Sequence, residues 1–373
     1  MLPSFALAQD SVQMIPNEDT YTVRQGKVEV LIDSAGKLYP EDVIQQKKGW
    51  MSLEEALELP EKPLVHWMKF RAHNLEGSSF EKYKLSVAFT DLVALYALNN
   101  SNGFFTEQLS GDLTPLSRRP VQNGRLVFLP FTVPHDGTRT VLVRLESTTG
   151  ISWQFRAQAL RSLKIYTSEG FDLRFETPRF YQAFFYGAIL IMVFYNLFIF
   201  ISLKSPEYLL YVAYLFALVL FFLSNGGYLM ELILPKNPRI DLYIRFLSTP
   251  LVMVAYIGFS MGFLNTRGQT PTAHKVLLGL VGLYVIDAII MGVIGDWILG
   301  RTIAIFLALI SYLYILILSI QGVRRGYSPA RYFLAANFLL ILGAIIYAVP
   351  RFTGLVQNPL TQYGVQLGVV LEV

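Results

Sequence analysis

Charge vanishes from the chain for long stretches after Arg179. From Phe180 to Leu203 no side chain is charged, and at about 1.5 Å rise per residue such a run covers the roughly 30 Å hydrocarbon layer of a bilayer. It predicts a membrane-spanning helix. Comparable apolar blocks follow near Tyr208–Met230, Leu242–Leu264, Val276–Ile294, Thr302–Gly322 and Tyr332–Val349, each bounded by Pro, Gly or charge. A seventh begins near Leu360 and is still apolar at Val373. Residues 176–373 therefore read as an all-α bundle of about seven transmembrane helices, the last one cut short.

Before Phe175 the period changes. Lys27–Ile32, Leu64–His73, Tyr83–Phe89, Leu92–Leu98, Phe104–Leu109, Arg125–Val133, Thr138–Glu146 and Ser152–Ala159 are short and rich in β-branched and aromatic residues. Turn signals such as Asn123-Gly124 separate them, which predicts strands. A helix is expected over Ser52–Glu58, because Ser52 followed three residues later by Glu55 is a capping box. Residues 9–175 thus read as an all-β sandwich of jelly-roll type. Alternation places Tyr83, Leu85, Val87 and Phe89, with Val141, Val143 and Leu145, in its core.

The same alternation turns Trp67, Lys69 and Arg71 to one face of their strand, and Gln154, Arg156 and Gln158 to one face of theirs. If those faces adjoin, amide and guanidinium donors beside an aromatic ring form a patch suited to a sugar or a carboxylate ligand. The plainer alternative is a solvated sheet face with Trp67 packed under a loop. Leu163 to Pro178 is expected to act as a short flexible tether to the first span.

Polar residues inside spans are costly and so informative. They are Asn196 in the first, Asn225 in the second, Asp287 in the fourth and Asn337 in the sixth, with Gln362, Gln366 and Glu372 in the seventh. Asn196 and Asn337 are expected to bond between helices. Asp287 is expected to be protonated or bonded to a Tyr or Asn, the alternative being a proton or cation relay. Gly258-x-x-x-Gly262 and Gly364-x-x-x-Gly368 permit close helix approach.

Composition narrows the classes. Hydrophobic residues make up 53% and charged residues 16%, against about 25% charged in soluble domains. A net charge of +4 spread over loops does not form a nucleic-acid surface. With no cysteine and four histidines, thiolate chemistry and a metal centre are not expected. No lysine lies within a span, so a retinal Schiff base has no anchor, and no HExxH, paired catalytic carboxylates or nucleophile elbow appears in the spans. No catalytic residue, cofactor or metal is assigned, and the chain is not expected to be an enzyme.

Ala6-Leu7-Ala8 before Gln9 fits a signal-peptidase site. Residues 1–8 therefore read as a signal-peptide remnant, or as a chance pattern in a leader. With the amino terminus outside, Lys and Arg count six against five between inner and outer loops. Arg324, Arg325 and Arg331 form the dense cluster, and the positive-inside tendency puts that loop in the cytoplasm.

Trp67-Met68-Lys69-Phe70 with His73-Asn74, then Leu92-Val93-Ala94-Leu95-Tyr96, resemble the extracellular sensor module of bacterial seven-transmembrane receptors with diverse intracellular signalling modules. Gly187 through Tyr195-Asn196-Leu197, Tyr208-x-x-Tyr211 and Asn225-Gly226-Gly227-Tyr228 resemble that family's membrane domain. The resemblance implies a periplasmic domain similar to carbohydrate-binding modules, a seven-helix transducer in the inner membrane, and a cytoplasmic output domain such as a histidine kinase or diguanylate cyclase, which these residues do not include. The expected function is a receptor for a small ligand, such as a carbohydrate, acting as a homodimer. The alternatives are a transporter or channel component with an extracytoplasmic cap, and an assembly protein gripping envelope polymer.

Overall fold

The computed structural model describes residues 12–14, 19–23, 27–58, 65–74, 82–88, 90–98, 105–135, 137–149, 156–161, 163–176, 179–353, 361 and 363–372. The chain divides into two compact units. The first holds residues up to Pro178 together with Leu223–Ile244 and Gly295–Ile298; the second holds the remainder. Those two later segments are the connections between the second and third spans and between the fourth and fifth. An outside amino terminus places both on the outer side.

The first unit is built on two sheets. One has the order β4 (Met51–Ser52), β3 (Glu29–Asp33), β5 (Val65–Asn74), β10 (Thr138–Glu146), β7 (Leu92–Leu98), β8 (Phe105–Ser110), with β1 (Val12–Met14) parallel to β5. The other has the order β2 (Thr20–Thr22), β11 (Lys164–Thr167), β6 (Lys82–Val87), β9 (Val127–Thr132). Both sheets feed one core: Met68, Phe70, Val141, Val143 and Leu95 come from the first, and Tyr83, Leu85, Val87, Leu129 and Ile165 from the second. The predicted inward positions are buried as alternation requires, except Phe89, which lies outside the described residues.

Two short helices precede β5: α1 (Pro40–Gln45) and α2 (Leu53–Glu58). The capping box on α2 is present, with Ser52 N–H donating to Glu55 Oε2 at 2.7 Å and Glu55 N–H donating to Ser52 Oγ at 3.2 Å. The strand expected over Ser152–Ala159 is corrected. Residues 150–155 lie outside the described residues, and Arg156–Arg161 is helix α3. Its sequence RAQALR consists of strong helix formers, whose preference overrides the aromatic run ahead of it.

The expected loose tether is also corrected. Lys164–Thr167 is strand β11, bonded to both β2 and β6. α4 (Ser168–Phe171) follows, capped by the Thr167 side chain accepting from Gly170 N–H at 3.0 Å. Phe171 and Phe175 then pack edge-on against Phe128, each with ring centroids 4.9 Å away.

In the membrane region six helices are long and apolar enough to cross a bilayer, among the described residues. The elements are α5 (Arg179–Leu203), α6 (Pro206–Gly226), the short α7 (Tyr228–Leu232), α8 (Pro238–Phe263), the short α9 (Thr266–Gln269), α10 (Pro271–Ile289), α11 (Trp297–Arg324), α12 (Ser328–Thr353) and α13 (Gly364–Glu372). Phe184, Ile191, Phe194 and Phe198 on α5 are exposed, as a surface facing lipid requires. Tyr214, Tyr256 and Tyr284 are fully buried inside the second unit.

Small residues set the helix crossings. A Cβ on Gly262 would lie 2.9 Å from Leu210 of α6, so the first Gly-x-x-x-Gly pair faces the second span. In the other pair, Gly364 and Gly368 face Gly343 of α12, where a Cβ would sit 2.3 Å from the Gly364 carbonyl oxygen.

Candidate ligand-binding site

The outward face of the larger sheet follows from its register. One row across the strands reads Glu29, Lys69, Leu142, Tyr96, Glu107; the next reads Leu31, Trp67, Arg144, Ala94, Leu109. Trp67, Lys69 and Arg71 do share this face. Gln158 does not join it: it is exposed on helix α3, which leads into the other sheet. Arg156 begins that same helix, and Gln154 lies outside the described residues. Among the described residues the two expected strand faces are not brought together, because Arg156–Arg161 is helix.

Trp67 is fully buried. It lies with Leu31, Val65 and Leu142 beneath Val43 of α1, which Leu38, Ile44 and Trp50 flank. The segment that carries α1 is a strap across half of the face, and the indole Nε1–H under it has no hydrogen-bond partner among the described residues. Lys69 is held at the edge of the strap. Its Nζ is 2.5 Å from Glu29 Oε2 and 4.1 Å from the Trp50 ring centroid, which leaves it less free for a ligand than exposed Arg71.

The uncovered half carries other groups. Tyr96 stacks at a tilt 5.6 Å from Trp67 and meets the edge of Phe105 at 6.2 Å. Its hydroxyl donates to Glu107 Oε1 at 2.8 Å. Burial, and then this bond to a carboxylate, push the Tyr96 phenol well above its ordinary range, so it stays a donor at any working pH. One register row away, Arg144 Nη1 meets Glu146 Oε2 at 2.6 Å, and Leu109 is 55% exposed. An aromatic face, two carboxylates and a guanidinium together offer both a flat apolar surface and several hydrogen-bonding groups. Tyr96, Glu107, Arg144 and Glu146 were not among the predicted binders. The signal was present, since Arg144 and Glu146 alternate with the core positions Val143 and Leu145.

The intramembrane polar residues divide. Asn337 bonds between helices as expected, accepting from Tyr256 of α8, while its Nδ2 donates to Phe333 O at 2.8 Å. Asn196 is corrected: its Nδ2 donates at 2.9 Å to Met192 O one turn back on its own helix. Asn225 is exposed near the end of α6. Asp287 is fully buried, and neither carboxylate oxygen has a hydrogen-bond partner among the described residues. The expected bond to a Tyr or Asn is not formed, for the nearby Tyr284 hydroxyl sits 3.4 Å from Ser311 Oγ instead. Gln366 exchanges two bonds with Gln182 of α5, at 2.9 and 3.0 Å, and Glu372 accepts from Tyr214 at 3.2 Å. Gln362 lies outside the described residues. Among the described residues no cluster of His, Asp or Glu is arranged to hold a metal ion.

The family model described as 7TM diverse intracellular signalling matches residues 178–373, and that described as 7TMR-DISM extracellular 2 matches residues 25–158. No individually curated protein matches the chain.

Proposed function

We infer the function from one premise: the chain belongs to the family of seven-transmembrane receptors with diverse intracellular signalling, and is a membrane protein with an extracellular sensor domain. On our reading, the sensor binds a small polyhydroxylated ligand, carbohydrate-like in chemistry, on the uncovered half of its larger sheet. The observation that carries this is the pairing of the Tyr96 ring and its Glu107 partner with the adjacent Arg144–Glu146 pair. Arg71 and Lys69 extend the same face. The protein acts in the bacterial inner membrane with the sensor in the periplasm, as a homodimer, and passes its signal to a cytoplasmic output module without catalysing a reaction. A ligand acts only by favouring one of two bundle arrangements over the other.

The test uses the full chain in lipid nanodiscs, with thermal unfolding followed against a panel of mono- and disaccharides. The expected result is a raised Tm with a subset of the panel that Tyr96→Ala and Arg144→Ala both abolish. A panel without any shift, or shifts that survive both substitutions, would overturn the assignment.

Asp287 supports a second reading, a transporter or channel component, because a buried carboxylate with no bonding partner among the described residues is what an ion or proton pathway uses. In reconstituted vesicles, loss of proton or cation flux in Asp287→Asn would favour it. Absence of flux in the parent protein would remove it.

A further inference from the structure

The loop between β8 and β9, residues 111–126, is a rigid extension of the sandwich. Arg119 is buried within it and donates to three of its carbonyls: Thr114 at 3.0 Å, Asn123 at 2.9 Å and Asp112 at 3.3 Å. Asn123 Oδ1 closes the far end, accepting from the N–H groups of Arg125 and Leu126, both at 3.0 Å. At its near end Asp112 N–H donates to Thr90 O at 2.7 Å, and Leu113 N–H to Asp91 O at 3.1 Å. Asp91 is in turn held by Thr148 and Thr149 beyond the end of β10. A loop braced in this way moves with the strands that frame it.

This loop meets a segment of the same compact unit that is distant in sequence, the connection between the second and third membrane helices. Gly124 N–H donates to Glu231 Oε1 of α7 at 2.9 Å, and Leu116 N–H donates to Pro235 O at 2.9 Å. Between these two bonds the backbones touch. A Cβ on Gly124 would fall 2.0 Å from Gly227 O, and one on Gly227 would fall 2.3 Å from Arg125 N. Gly227 also has φ +84°, a left-handed conformation that side chains other than glycine's resist. It ends α6 and starts α7, so the contact lies at the point where the second membrane helix turns back.

We propose that this glycine-on-glycine clamp is the sensor's output joint: the 111–126 loop grips the 227–235 hairpin and hands displacements of the sandwich to the second and third membrane helices together. The covalent route through Phe175 to the first helix is then not the sole path inward. The joint does not depend on which ligand the sheet binds, so it stands or falls separately from the carbohydrate reading.

The chain has no cysteine, so a single introduced thiol on α9, just past the inner end of the third helix, Arg267→Cys, reports on the connection that this helix carries. In nanodiscs, hydrogen exchange of the Leu116 and Gly124 amides is measured together with maleimide labelling of the thiol. Glu231→Ala is expected to speed exchange at Gly124 by roughly tenfold or more, as loss of a charge-assisted bond implies. Gly227→Ala is expected to release both amides, with β10 amides unchanged in each variant. Glu231→Gln keeps an acceptor in place and is expected to stay near the parent, which guards against simple misfolding. Labelling at position 267 is expected to change severalfold in Glu231→Ala and Gly227→Ala but not in Glu231→Gln. Unchanged exchange at both amides would overturn the clamp, and released amides with unchanged labelling would overturn its role in transmission.

Discussion

The phenol of Tyr256 donates to the side-chain oxygen of Asn337, joining the third and sixth membrane helices through two buried side chains. Interhelical bonds of this kind contribute about 0.6–2 kcal/mol. Tyr256→Phe and Asn337→Leu should each lower stability by roughly that amount, and the double variant should cost less than their sum. Asn196→Leu, which removes a bond within one helix, should show no such coupling to Tyr256. Denaturation in mixed micelles of the three single variants and the two doubles with Tyr256→Phe gives these values.

Asp91 accepts from the N–H and hydroxyl groups of both Thr148 and Thr149, at 2.5 to 3.0 Å. It is buried, so Asp91→Ala leaves those donors without their acceptor and should destabilise the sandwich by roughly 2–4 kcal/mol. Loss of a two-state far-UV transition at temperatures the parent survives would show it. A variant as stable as the parent would mean that water replaces the carboxylate at no cost.

The Glu55 carboxyl is held below its ordinary range first by the backbone N–H of Ser52, then by its hydroxyl. A carboxylate whose folded pKa is depressed contributes stability above its unfolded pKa and loses it as pH falls through the folded one. The α2 cap should therefore weaken only below the usual carboxylate range. Carbon NMR of labelled Glu should find Glu55 titrating early in the parent and at an ordinary pH in Ser52→Pro, which lacks both the N–H and the hydroxyl.

Gly343 admits the Gly364 carbonyl where a side chain would otherwise stand. Gly343→Val should force α12 and α13 apart and cost roughly 1–3 kcal/mol, the range for overpacking. Gly279 on α10 has open space where its Cβ would be, so Gly279→Ala should be neutral or mildly stabilising, since glycine weakens a helix by up to about 1 kcal/mol. Equal losses at the two positions would contradict the packing described.

The sequence made most of the architecture legible because its signals are periodic. Apolar runs mark the spans, and alternation marks the inner faces of β6 and β10. Short elements carry too few residues for a period to show. Helix α1 displays Pro40, Glu41 and Asp42 in its first turn, yet six residues do not announce that they will lie over Trp67. The rotation of a helix about its axis is likewise not local information. Asn196 and Asn337 look alike in sequence, and only the packing decides that one reaches a neighbouring helix and the other turns back on its own. At the candidate site the alternation was sound, but the choice of partner strand was not, so Arg144 and Tyr96 emerged only when β10 and β7 were seen beside β5. Gly227 was noticeable as part of a motif, but its purpose depends on Gly124, about a hundred residues earlier.

The reciprocal amides of Gln182 and Gln366 have a mechanical meaning. Each side chain gives and takes one bond, so sliding α13 along α5 by a single residue would break both at once. Rotation about that point keeps the pair whole. The pair thus pins the height of α13 against α5 and leaves its angle as the freer coordinate.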